Sequence, residues 1–191
     1  TLNLLNTMHA FGVENIIFSS TAAVYGEPQY NPIDENHPTN PINPYGRSKL
    51  FVEQIIKDFA KAYDLNYIIF RYFCAAGATN TNGESRSYET HLIPVILDTV
   101  LGKREKMYVY GNDFRTIDGT GVRDYIHVED IANAHVLGLN KLKESPNHIL
   151  NLGSNSAYSV LQVIEKVENC LDTKVNYFME KQRPGDPAIL T

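Results

Sequence analysis

Two apolar strands separated by one helix constrain the fold of this chain more than any other feature. Asn66-Tyr67-Ile68-Ile69-Phe70-Arg71-Tyr72 is apolar with almost no alternation, the pattern of a strand buried on both faces. Asn15–Ser20 is a second short run rich in Ile and Phe. Between them Leu50, Phe51, Ile55, Phe59 and Ala62 recur at helical spacing, which predicts a helix from about Tyr45 to Tyr63. Asn43 is a good N-cap for it, and Pro44 suits its first turn. With a further helix over Thr1–Phe11, ended by Gly12, the order is helix, strand, helix, strand. That order predicts an α/β fold built on a parallel sheet with right-handed crossovers.

Past Phe73 the texture changes. A polar loop, Ala75 to Tyr88, leads to a helix over about Thr90–Leu101 and a short strand Met107–Tyr110. The glycine-rich loop Gly111–Asp124 precedes a strand Tyr125–His127 and a helix Val128–Leu142. His148–Leu152 and Val175–Met179 read as strands around a helix Ser159–Leu171. We place a domain boundary near Phe73, giving units of residues 1–73 and 74–191, with the 128–142 helix packing back on the first.

Tyr45-Gly46-Arg47-Ser48-Lys49 carries the chemistry. On a helix, side chains four residues apart share a face about 6 Å apart. An ammonium held that close favours the ionised phenol, which can then take a proton from a hydroxyl. Thr21, at the end of the first strand, lies 24 positions upstream of Tyr45. Tyr177 and Lys181 have the same spacing, but their segment reads as a strand, where four residues span about 13 Å and cannot couple.

Composition narrows the function. Hydrophobic residues make up 43% and charged residues 20%, ordinary values for a globular protein. The net charge of −5 argues against a nucleic-acid or anionic-membrane partner. No apolar run approaches the roughly 20 residues of a membrane span, and the start has no signal-peptide layout. Cys74 and Cys170 form no metal or redox spacing, so a reduced, cytoplasmic setting is expected. No metal is expected either: Glu129 and Asp130 suit the first turn of a helix, and no ligand spacing joins them to Asp124 and His127. The glycine fingerprint of a dinucleotide site is missing too; Gly119-Thr120-Gly121 is followed by a strand, not a helix.

Five stretches resemble the UDP-galactose 4-epimerase family of the extended short-chain dehydrogenase/reductase superfamily. They are Ser19–Gly26, Tyr45–Lys49, Arg71–Phe73, Gly119–Val128 and Arg183-Pro184-Gly185-Asp186, in the family's order and spacing. The resemblance implies the second half of a Rossmann-like doubly wound sheet, joined to a smaller α/β substrate domain. It implies that the opening half, with its glycine loop, and a C-terminal stretch lie outside these residues.

It further implies NAD as cofactor, held in part by Thr21, Tyr45, Lys49 and Phe73. Tyr45, Lys49 and Thr21 would be catalytic. A UDP-sugar would be held by Thr21, Cys74, His91, Leu92, Tyr108, Val109, Tyr110, Arg123, Tyr125, Arg183 and Asp186, with the two arginines on the diphosphate. On pattern alone, Tyr125 reads equally as a strand aromatic. Cys74 and His91 depart from the family, which carries Asn at both places. A homodimer through the helices 1–11 and 45–63 is expected.

Rival readings fit the same residues. They are 4-epimerisation of a UDP-N-acetylhexosamine or UDP-pentose, a sugar-nucleotide 4,6-dehydratase, and a non-catalytic nucleotide-sensing relative. Dehydration needs an acid/base pair beside Thr21, where this chain has Ala22 and Ala23.

Overall fold

The computed structural model describes residues 1–191. The first part of the chain runs α1 (Leu2–Ala10), β1 (Asn15–Thr21), a 3₁₀ turn (Ala22–Val24), α2 (Pro44–Tyr63) and β2 (Asn66–Tyr72). Then come β3 (Cys74–Ala76), α3 (Leu92–Val100), β4 (Met107–Tyr110), β5 (Val122–His127) and α4 (Val128–Glu144). The last elements are β6 (His148–Leu152), β7 (Ala157–Ser159), α5 (Val160–Leu171), β8 (Tyr177–Glu180) and β9 (Ile189–Leu190).

β1, β2 and β6 form a parallel sheet in that order, so the α/β architecture expected from the sequence is present. β2 is central and covered on both faces, which is why its sequence does not alternate. On one face α1 and α2 bury Leu5, Ile56, Phe59, Leu65 and Ile69. On the other α4 closes over Ile68, Phe70 and Leu142. Gly138 lets α4 come close: a Cβ there would lie 3.1 Å from Ile17 and 3.2 Å from Phe70. β1 and β2 run in register from Asn15 opposite Asn66 to Thr21 opposite Tyr72, so both end at the same carboxyl edge. β6 brings residues 148–152 into this sheet from far along the chain.

A second group of elements stands beside that edge. β5 pairs with β3, β7 and β9, while β4 pairs in parallel with β8. α3 and α5 pack over Met107, Val109, Val163, Ile164 and Val175. β5 begins at Val122, three residues before the expected strand, because pairing with β7 and β9 extends it through Arg123 and Asp124. β3, β7 and β9 have only three, three and two residues, too few to leave a periodic trace in sequence.

Candidate active site

Tyr45 stands in the first turn of α2, and that turn is fixed from three sides. Asn43 caps the helix, its Oδ1 accepting from the Gly46 N–H at 2.8 Å, and Pro44 takes the position where no N–H is needed. Gly46 lies on the 3₁₀ turn so closely that an added Cβ would sit 2.4 Å from the Ala23 carbonyl oxygen and 2.9 Å from Pro41. Only glycine allows that approach. It brings the start of α2 against the turn that follows Thr21.

Lys49, one turn on, shares the face of Tyr45. Its Nζ is 5.8 Å from the centroid of the Tyr45 ring and 5.1 Å from that of Phe18. The same ammonium donates to the Ser19 carbonyl of β1 at 2.8 Å. Thr21 ends β1 two residues later, and its Oγ1 accepts from the Ala23 N–H at 3.2 Å, capping the 3₁₀ turn. The phenol is not walled off, since Tyr45 is 56% exposed. An ammonium has three donors, so two remain for a ligand hydroxyl. The arrangement combines a proton acceptor, an adjacent cation and a hydroxyl at the carboxyl edge of a parallel sheet, the usual ligand side of such folds.

The Arg183–Asp186 segment is tied to the same helix end. Asn43 Nδ2 donates to the Gly185 carbonyl at 3.2 Å, and Gly185 adopts a φ of 85° that favours glycine. Arg183 and Asp186 bind each other, Nε to Oδ2 at 2.9 Å, and the guanidinium lies 4.8 Å from the Tyr110 ring centroid. β4 alternates: Tyr108 and Tyr110 face outward, while Val109 is buried in the core with Met107. A ligand can therefore meet Val109 only through its main chain.

Cys74, Arg123 and Tyr125 come together on β3 and β5, with Cys74 opposite Tyr125 in the register. Burial pushes the Cys74 thiol up from its ordinary value, against the pull of Arg123. Burial likewise pushes the Tyr125 phenol up, with Cys74 adding to the effect and Arg123 opposing it. Both groups are neutral at pH 7. Arg123 Nη1 donates to the Val122 carbonyl at 2.8 Å. Asp124 is turned to another task, accepting from Ser154 N–H, Ser154 Oγ and Asn155 N–H, each at 2.8 Å.

His91 stands at the N-cap position of α3 without a side-chain cap bond, its Nδ1 2.8 Å from Glu84 and its N–H donating to Glu89 at 2.8 Å. Leu92 follows and packs partly into the α3–α5 core. Phe73 continues from β2 and packs on the cluster of Ala22, Val24, Tyr25, Ile33 and Leu190. His127 and Glu129 stay at the start of α4, 3.6 Å apart.

Sequence reasoning missed Gly46, whose place inside the Tyr-x-x-x-Lys spacing was the available signal. It also missed Glu53 and Arg71, a buried pair beneath the site, although a charge inside an apolar strand marks Arg71 as unusual.

Residues 1–153 match the family described as NAD dependent epimerase/dehydratase. The chain is 47% identical over 189 residues to a UDP-glucose 4-epimerase of Corynebacterium glutamicum, covering 99% of this chain and 57% of that protein. It is 45% identical over 194 residues to the human UDP-glucose 4-epimerase, covering 98% and 56%. Among solved structures, a Bifidobacterium longum UDP-glucose 4-epimerase in complex with NAD+ and UDP superposes with a TM-score of 0.94 at 41% identity, covering 98% of this chain and 58% of that one. The chain thus spans little more than half the length of the relatives it matches. Over that span it belongs to the NAD-dependent epimerase/dehydratase family.

Proposed function

We propose that the protein containing this chain is an isomerase, an NAD-dependent epimerase that interconverts UDP-galactose and UDP-glucose through a 4-keto sugar. The observation that carries this reading is Lys49, bonded to the end of β1 and set over the ring of an accessible Tyr45 on the same helix face. The relatives' names support the choice of substrate.

Tyr45 takes the proton of the sugar 4-hydroxyl, and Thr21 passes or steadies it through its own hydroxyl. Tyr45 enters this step as the phenolate and leaves it as the neutral phenol, and the Lys49 ammonium is the positive partner of the phenolate oxygen before the proton arrives. Bound NAD would supply a reversible hydride acceptor for C4, which would leave the overall redox change at zero. Lys49, Tyr45, Thr21 and Phe73 would hold its nicotinamide end. The keto sugar must turn over while the UDP stays fixed. Arg123 and Arg183 grip the diphosphate with their guanidinium forks. Asp186 takes ribose hydroxyls. Cys74, His91, Leu92, Tyr125 and the Tyr108–Tyr110 strand line the rest of the nucleotide and sugar site.

Ala22 and Ala23 beside Thr21 disfavour a dehydratase, because a methyl group carries no proton. Residues 1–73 serve the cofactor and 74–191 the substrate, with α4 and β6 returning to the first sheet. We further propose a homodimer through α1 and α2, where Leu4, Phe11 and Phe51 are exposed apolar side chains. The unpaired cysteines Cys74 and Cys170 fit a cytoplasmic setting. The test is to incubate the full-length protein with UDP-galactose and assay UDP-glucose. Conversion that Tyr45→Phe lowers by about 100-fold or more is expected; conversion unaffected by that change refutes the assignment.

A further inference from the structure

Charge, as well as apolar packing, fastens the helix that carries Tyr45 and Lys49 to the sheet beneath it. Glu53 lies one turn beyond Lys49 and is wholly buried. Arg71 of β2 grips its carboxylate in two places, Nε to Oε1 at 3.1 Å and Nη2 to Oε2 at 2.6 Å. Ser20 of β1 donates to the same carboxylate at 2.5 Å. The remaining arm of Arg71 donates to the Tyr25 hydroxyl at 3.0 Å, and Tyr25 donates to Asn151 of β6 at 2.7 Å. Asn151 in turn donates to the Ile33 carbonyl at 3.1 Å. One run of bonds joins α2, all three strands of the first sheet and the turn after Thr21. Ser20 sits between Ser19, whose carbonyl holds Lys49, and Thr21 itself.

A buried ion pair seldom stabilises a fold more than an apolar pair of equal volume, because both charges lose their water. Its particular property is direction. Apart from the Lys49 bond to the Ser19 carbonyl, the contacts of α2 with the sheet are made by side chains such as Ile56 and Phe59, which tolerate a small roll of the helix. A roll of about 10° moves an atom about 8 Å from the helix axis by about 1.4 Å. Misplacing a reacting group by about 1 Å is enough to cost about 100-fold in rate.

We propose that the Glu53–Arg71 pair, with Ser20 and Tyr25 bonded to it, sets the roll of α2 and so places Tyr45 and Lys49 against Thr21. Glu53 and Arg71 are positioning residues; they act on the reaction through the helix. The proposal rests on the epimerase reading for its kinetic test.

The test uses the full-length protein with NAD and UDP-galactose. Glu53→Met/Arg71→Met removes both charges at similar volume, and Ser20→Ala removes one bond while leaving the pair. We expect the folded double variant to lose about tenfold or more in kcat, with KM for UDP-galactose within about twofold. Ser20→Ala should shift kcat in the same direction. A folded double variant with a smaller loss in kcat overturns the proposal. Should the double variant not fold, the same kcat–KM split in Ser20→Ala and Tyr25→Phe decides: a fall in kcat alone supports positioning, and unchanged kcat overturns it. If the unaltered protein does not convert UDP-galactose, the epimerase reading fails instead. A crystal structure of the double variant then decides the positioning claim: displacement of the Tyr45 hydroxyl by about 1 Å or more supports it, and any smaller shift overturns it.

Discussion

A methyl group added at Gly46 sets a gain in helix propensity against a collision. Alanine in a helix interior is favoured over glycine by about 1 kcal/mol. At Gly46, however, the new Cβ would stand 2.4 Å from the Ala23 carbonyl oxygen and 2.9 Å from both the Ala23 carbonyl carbon and Pro41 Cβ. Ordinary contact begins near 3.4 Å, so the start of α2 must retreat from the 3₁₀ turn by about 1 Å. The obstacle is main chain, which cannot swing aside as a side-chain tip would. Overpacking of this kind costs about 1–3 kcal/mol. The net effect of Gly46→Ala on stability is therefore small, a loss of about 0–2 kcal/mol.

Activity should respond far more strongly than stability. The retreat separates Tyr45 and Lys49, on one side of the contact, from Thr21 and Ser19 on the other. An error of about 1 Å between reacting groups costs about 100-fold. Thermal unfolding and epimerisation of UDP-galactose, measured on the same full-length preparation, test this. A modest fall in Tm with kcat down by about 10- to 100-fold is expected. Full activity in a folded Gly46→Ala protein would show that the close approach does not set the site geometry, and the argument from it would fail.

Three other perturbations probe the site and the fold that supports it. Asn43→Asp keeps the oxygen that caps α2 but loses the donor to Gly185; UDP-sugar KM should rise severalfold while Tm changes little, as read from kinetics and thermal unfolding. For Asp118, burial works against the carboxylate, but bonds from Ser159 and Thr120 outweigh it and hold the group below its usual range. Its contribution is therefore present above the unfolded value of about 3.9 and lost as pH falls below it; Asp118→Asn should flatten the loss of Tm between about pH 5 and 2. Burial holds the Tyr125 phenol protonated, so its contribution is complete below the unfolded value of about 10 and is lost as pH rises above it; Tyr125→Phe should make alkaline unfolding less steep.

The near-continuous apolar run of β2 announced a strand with both faces covered, and Asn43-Pro44 announced where α2 starts. Those two facts suffice to bring Tyr45 and Lys49 to the carboxyl edge of the sheet. The alternation in Met107–Tyr110 likewise separates buried Val109 from the exposed tyrosines beside it. What stayed hidden depends on which elements lie side by side. Glu53 alone looks like a solvated helix position, and only the packing of α2 on β2 brings Arg71 to it. The meeting of Arg183 with Tyr110 likewise depends on the pairing of β4 with β8. β3, β7 and β9 exist because β5 offers them edges, a condition that two or three residues cannot encode alone.

Several exposed segments of the chain share one method of construction, and it follows from where they lie. An exposed loop cannot be fixed by apolar burial, and its N–H groups still need partners. Here carboxylates supply them. Asp124 holds residues 154 and 155, Glu89 accepts from the N–H groups of Thr90 at 2.7 Å and His91 at 2.8 Å, and Asp118 accepts from Thr120 at 2.9 Å. Each carboxylate accepts within its own segment or from a neighbouring one, so these turns are fixed without apolar burial. This assigns different work to acids that look alike in the sequence. Asp124 beside Arg123 is a structural anchor, while the Arg123 guanidinium, bonded through Nη1 to the Val122 carbonyl at 2.8 Å, keeps further N–H donors.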